Sequence, residues 1–224
     1  MIKNISNLGD AALYCDFGNE VNKEINTKVI RYFKSIKKDN IEGINNLTPS
    51  YNKLIVSFDL NKTSYKEIKK KVENLSININ EDLLSKKIEI PVCVEEEFSL
   101  DIKRLEKKLK INSEKIYENF FDKNFFCYMT GFIAGMPFLG DLDVNLRAKR
   151  LETPRVKVPK GSIGITEQFA NIYTFESPGG WNIIGNTPLN IFNSFKEVDP
   201  NLINPGDLVL FKRITKNQYQ NYNE

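Results

Sequence analysis

GFIAGMPFLGDLD (131–143), TPRVKVPKGSIGI (153–165) and SPGGWNIIGNTP (177–188) follow one another within a short stretch of the chain. Their reading decides how the second half folds. Glycine admits positive φ or the close approach of another chain segment, while proline locks φ and removes a backbone donor. At this density the two residues specify backbone shape more than they specify a reactive side chain. Around and between the blocks, short apolar runs at 125–129, 162–165, 172–175, 181–184 and 208–211 are separated by Gly, Pro, Asn and Asp. That punctuation predicts a compact barrel or sandwich. Two short helices are expected just before it, at 100–109 and 113–121, where apolar residues recur at helical spacing. The mainly β domain is expected to span 87–224, with the polar tail KNQYQNYNE frayed.

Outward from this region, the first half reads differently. Residues 11–17 are strand-like. Val21, Ile25, Val29, Phe33 and Ile36 share one face of a helix expected over 20–37. Strands at 41–47 and 54–58 form a hairpin around Pro49-Ser50-Tyr51-Asn52. Ser64 and Glu67 have capping-box spacing ahead of a second amphipathic helix, and a β-rich segment follows at 87–94. The order β-α-β-β-α-β is that of a ferredoxin-like split unit. The fold class is therefore α+β, with a small α/β domain at 1–86.

Several chemistries are excluded by composition. The 224 residues contain no histidine, which removes Ser-His-Asp and Cys-His pairs and the HExxH zinc motif. Catalysis is left to carboxylates, Lys, Tyr, Cys or backbone donors. The net charge of +3, from 32 basic and 29 acidic residues, gives no nucleic-acid footprint. Cys15, Cys93 and Cys127 form neither a CxxC pair nor an even framework, so no metal site is expected and a reducing cytoplasm fits best. No run approaches the ~20 apolar residues of a membrane span, and the N-terminus lacks a signal-peptide core. There is no GxxxxGK[ST] phosphate loop.

The basic run RAKRLETPRVKVPK (147–160) gathers Arg147, Arg150 and Arg155 in a chain whose cations are mostly lysine. Guanidinium forks match carboxylates and phosphates, so Arg147 and Arg155 are candidate anion ligands; a solvated loop with surface ion pairs is the alternative. Ser162 and Ser177 lie among glycines outside any GxSxG elbow, with no histidine to activate them. In KGSIG and SPGG, the hydroxyls and backbone around Gly161, Ser162, Pro178, Gly179 and Gly180 suit a ligand oxygen, unless each is simply a self-bonded turn. Asp141 and Asp143 are the carboxylates best placed for proton or cation work, against the reading of an Asx turn. Phe138 and Trp181 line either a pocket or the core. The candidate site is thus Asp141 and Ser177 as catalytic groups, with Gly131, Phe132, Gly135, Pro137, Arg147, Arg155, Gly161, Ser162, Pro178, Gly179, Gly180 and Trp181 around the substrate.

The three blocks, in this order, resemble the family of the B-type subunit of 5-oxoprolinase, also described as allophanate hydrolase subunit 1 and including the Kip-type inhibitor of a histidine kinase. The family pattern is close to GFxPGFPYLGGL, TPRxxVPxGSV and SPGGWxxIGRTP. LGDAALYCDFG and TPSYNKLIVSFD extend the resemblance through the first half. It implies an α/β domain followed by a cyclophilin-like β-barrel. It also implies a cytoplasmic hetero-oligomer with homologues of the C-type and A-type subunits of 5-oxoprolinase, opening the lactam 5-oxoproline to glutamate with ATP and Mg²⁺ bound by the complex. Processing of allophanate or urea, or kinase inhibition, are the other activities the resemblance carries. Departures fall at Ala134, Met136 and Asn186, and a histidine common in relatives is replaced near Phe120.

Overall fold

A computed structural model describes residues 1–77 and 86–222 of the protein. The chain divides into two compact units, Met1–Leu84 and Ser85–Glu224.

In the first unit, β1 (Asn4–Asn7), β2 (Ala12–Asp16), α1 (Lys23–Asp39), β3 (Ile44–Pro49), β4 (Lys53–Phe58) and α2 (Tyr65–Glu73) follow in that order. The sheet runs β1-β2-β4-β3, with every neighbouring pair antiparallel. Strands β2 and β3, joined through α1, are therefore parallel with β4 inserted between them, which is the split arrangement expected from the sequence. Alternation drives the packing: Leu13, Cys15, Leu54, Val56 and Phe58 point to one face and meet Val29, Ile36, Ile68 and Val72 of the helices. Both helices are capped at their N-termini, α1 starting at Lys23, later than the position 20 expected from the spacing. Asn22 accepts from the Ile25 N–H, and Ser64 and Glu67 form a reciprocal capping box, each cap contributing about 1 kcal/mol.

One expectation is corrected. The fourth strand of this sheet is not the 87–94 segment but β1, at the N-terminal end of the chain, where KNISN carries little strand signal. The segment Lys87–Cys93 (β5) instead enters the second unit. There it pairs in parallel with β13 (Leu208–Ile214) along its whole length and antiparallel with β12 (Asn182–Asn186). Burial on both faces favours that central position: Ile90, Val92 and Cys93 are all buried.

The second unit continues from β5 through α3 (Ile102–Leu109) and α4 (Ser113–Phe121) to β6 (Asn124–Thr130) and β7 (Pro137–Gly140). Then come β8 (Arg155–Val158), β9 (Ser162–Thr166), β10 (Phe169–Ile172), β11 (Ser177–Gly179), β12 and β13. Seven of these strands close into a barrel in the order β10-β7-β6-β13-β5-β12-β9, while β8 and β11 form a separate two-stranded ribbon. A barrel of about eight strands is just wide enough for side chains to fill. This one is filled by Ile90, Leu139, Ile163, Ile165, Ala170, Ile172, Ile184 and Val209, and the rings of Phe120 and Phe211 stack 4.9 Å apart in the same core.

The polar tail differs from expectation too. Thr215 and Gln218 make a capping box that starts α5 (Lys216–Gln220). Tyr219 then packs its ring on Phe98 and donates to Asn186 Oδ1 at 2.8 Å. An amphipathic tyrosine with a specific acceptor outweighs the polarity of its neighbours. The last two residues of the tail lie outside the described residues.

Candidate functional site

Because the barrel interior is packed, any ligand of this unit is held on its outer surface. Period-two alternation determines which residues face that way. On β7, Leu139 points inward and Phe138 outward; on β10, Ala170 and Ile172 point inward, Asn171 outward; on β9, Ile163 and Ile165 flank outward Gly164. Cross-strand register then places Phe138 beside Asn171, Asn171 beside Gly164, and Gly164 beside Ile183. This row underlies a cavity of about 610 Å³, lined among others by Met136, Phe138, Arg150, Asn171, Tyr173 and Trp181. The size is within the ~300–1,000 Å³ usual for small-molecule sites.

The glycines of the sequence blocks explain the shape of this cavity. A Cβ on Gly164 would stand 2.5 Å from Asn171 Oδ1 and 3.0 Å from the Trp181 Cβ, and one on Gly179 would overlap the Tyr173 hydroxyl. Both positions are bare so that these polar and aromatic side chains can lie against the backbone. Gly180 does the same for Arg150, whose Nη2 would be 3.0 Å from a Cβ there. Gly161 has a further reason, since its φ of +81° is in the left-handed region that favours glycine.

Polar groups in the cavity are few and placed. Asn171 is 1% exposed, and its Nδ2 reaches the Met136 sulfur at 3.6 Å. Its Oδ1 is buried and accepts no hydrogen bond among the described residues. Such an orphan costs about 1–3 kcal/mol, and native proteins keep few of them. Burial pushes the Tyr173 phenol up, opposed by hydrogen bonds from the Asn171 side chain and the Trp181 backbone and by the charges of Arg150 and Arg155. Trp181 meets Phe138 edge to face at 5.6 Å, giving the cavity a rigid aromatic wall. Lys149, Arg150 and Glu167 stand at the exposed rim.

Of the residues expected from sequence, the cavity gathers Phe132, Gly179, Gly180 and Trp181. Phe132 is 75% exposed with φ of +69°, projecting at the mouth. The others are placed elsewhere. Gly131 precedes that turn, Gly135 packs on the Phe192 ring, Pro137 opens β7, and exposed Pro178 sits in β11. Ser162 is buried with Asn186 Nδ2 at 3.5 Å, and Ser177 Oγ is buried without a hydrogen-bond partner among the described residues. Asp141 accepts from the Tyr128 hydroxyl at 2.8 Å, while Asp143 accepts from the Asn145 N–H in an Asx turn. Arg147 donates from Nε to the Leu142 carbonyl at 3.3 Å.

Arg155 is engaged otherwise than as an anion ligand. Its fork donates to both oxygens of Asp101, at 2.9 and 2.7 Å, and Asp101 also accepts from the Ile183 N–H at 2.7 Å. The pair ties β8 and β12 to the start of α3. Asn171, Tyr173 and Arg150 line the cavity and are not among the site residues expected from the sequence. The available signal was one polar residue in FANI, the strand β10, which is otherwise apolar on both faces.

The family description "Carboxyltransferase domain, subdomain C and D" matches residues 3–203. The chain belongs to this carboxyltransferase C/D family. It is 32% identical to the B-type subunit of 5-oxoprolinase from Bacillus subtilis (strain 168), across 98% of this chain and 96% of that protein. Identity to the protein of the same name from Haemophilus influenzae is 36%, across 75% of this chain and 76% of that one. Among solved structures, TTHA0988 superposes with a TM-score of 0.82 at 25% identity over 91% of this chain. Urea amidolyase of K. lactis shares the fold, with a TM-score of 0.76 at 20% identity over 96% of this chain. This chain spans 40% of TTHA0988 and 15% of that amidolyase, so the same fold also occurs within much longer chains.

Among the described residues, no group of three or more His, Cys, Asp or Glu is placed to hold a metal ion. No described helix is long and apolar enough to cross a membrane.

Proposed function

We propose that this member of the carboxyltransferase C/D family is the B-type subunit of an ATP-dependent 5-oxoprolinase, acting with homologues of the A-type and C-type subunits in the cytoplasm to open 5-oxoproline to L-glutamate. The observation that carries the reading is near full-length identity to a protein of that name. The geometry supports it through a cavity of small-molecule size, framed by the glycine blocks, with aromatic walls and a cationic rim. The activity belongs to the complex, and this chain supplies one wall of the substrate site, including Phe132, Gly179, Gly180 and Trp181.

A magnesium triphosphate does not fit the groups present. The cavity offers Arg150 and Lys149 beside a single rim carboxylate, Glu167, with neither a phosphate loop nor a carboxylate pair for Mg²⁺. The ATP step is therefore not routed through this cavity. Co-expression with the A-type and C-type homologues, followed by an assay of ATP-dependent glutamate release from 5-oxoproline, tests the proposal. Turnover requiring all three chains is expected. An assembled complex that hydrolyses allophanate and leaves 5-oxoproline untouched, or a chain that binds neither homologue, overturns it.

A further inference from the structure

In the first unit, α1 and β3 border an open groove of about 300 Å³. Its apolar lining is Phe33, Ile41, Ile44 and Leu47, which pack against the core of that unit yet stay half-exposed, and Lys37 and Asn46 stand beside them. Charge is concentrated along the same helix. α1 carries six cations against two carboxylates, in a chain whose 32 basic and 29 acidic residues nearly balance. Lys28 is paired with Glu24, but Arg31, Lys34 and Lys37, spaced three apart on the helix surface, form no ion pair among the described residues. An apolar hollow bordered by unpaired cations is complementary to aliphatic side chains flanked by carboxylates.

We infer that the α1–β3 groove docks an acidic segment of a partner protein, with aliphatic anchors in the hollow and carboxylates on Lys34 and Lys37. It shares no lining residue with the glycine-framed cavity of the second unit and does not rest on the 5-oxoprolinase reading. Side chains carry the recognition. β3 is an edge strand, but the register shift between Ile44 and Asn46 and the proline that ends it blunt that edge as a template for strand pairing. Among anionic partners, a protein segment matches best. The apolar groups are recessed, whereas a bilayer takes up protruding ones. A nucleic acid duplex supplies a phosphate track with little aliphatic surface to fill a hollow. Because the cations are at the surface, salt should weaken the contact.

The probe is a blocked synthetic peptide of repeated Glu-Glu-Leu, titrated into the full chain and followed by amide chemical shifts and by fluorescence anisotropy. Shifts are expected on α1 and β3. The apolar and acidic arms are read on the peptide, since replacing half-buried Phe33 or Ile44 endangers the fold: repeated Gln-Gln-Leu and repeated Glu-Glu-Ser should each bind at least about tenfold more weakly. On the protein, Lys34→Glu/Lys37→Glu should cost at least about tenfold in affinity, whereas Lys107→Glu/Lys108→Glu, an equal change of net charge at exposed positions of α3, should stay within about twofold. Melting temperatures near wild type confirm that both double variants are folded. Absence of shifts at millimolar peptide, equal binding of the Gln-Gln-Leu or Glu-Glu-Ser peptide, or an equal loss in both double variants overturns the inference. So does tighter binding of duplex DNA or of phosphatidylglycerol vesicles at the same residues, which would assign the cations to a phosphate surface.

Discussion

Arg155→Ala separates a structural arginine from a ligand arginine. Asp101 is 4% exposed and is held by both Arg155 donors and the Ile183 N–H, whereas the Arg155 side chain is 28% exposed. Removing one partner of a buried pair costs about 3–5 kcal/mol, because a charge is left uncompensated. With water able to reach the space vacated by the partly exposed arginine, about 2–3 kcal/mol is the reasonable expectation. For a unit of this size that is a fall in Tm of roughly 6–10 °C. Urea unfolding and thermal melts of the full chain measure it. Arg155→Lys keeps the charge but loses the fork, and should recover about half of the loss. In an Asp101→Asn background the buried charge is gone, so Arg155→Ala should cost less than about 1 kcal/mol further. If Arg155→Ala stays within about 0.5 kcal/mol of wild type, or costs the same in both backgrounds, the tie is not structural. Arg155 would then be available to a ligand.

Gly179→Ala drives a methyl group into the Tyr173 hydroxyl and should destabilise by about 1–3 kcal/mol, with altered near-ultraviolet circular dichroism; an unperturbed spectrum and melt would remove the packing role given to that glycine. Alkaline stability should fall. Burial raises the phenols of Tyr117, Tyr128 and Tyr173, with the Asp141 hydrogen bond and charge adding at Tyr128. Their contribution is complete below the unfolded tyrosine pKa of about 10 and is lost as pH climbs from there towards the folded values, so unfolding free energy should decline above about pH 10. Tyr128→Phe should flatten part of that decline, and an identical profile in the variant would exclude Tyr128 as a contributor. We propose that residues 87–224 form an independently folding domain. Expressed alone, they should melt in one cooperative transition, and a chain without cooperative unfolding would count against a separate core.

The sequence by itself determined most of the elements and the family. Local signals did this: helical spacing in α1 and α4, the Ser64–Glu67 capping box, and the Gly/Pro blocks, each of which acts over a few residues. It also marked Gly179, Gly180 and Trp181 as part of a shaped surface. What it could not determine was pairing across distance. The 87–94 strand joins the barrel, not the N-terminal sheet, because its partner lies over a hundred residues away in β13. The sequence pointed to Arg147 and Arg155 as ligand arginines, whereas the arginine that lines the cavity is Arg150. Arg150 and Arg155 are chemically alike and five residues apart, and only the position of Asp101, brought in from the start of α3, commits Arg155 to the fold and leaves Arg150 at the rim. Asn171 is the same lesson in a strand. Its polarity was visible, but whether the carbonyl found a partner depended on the two neighbouring strands, and among the described residues it found none.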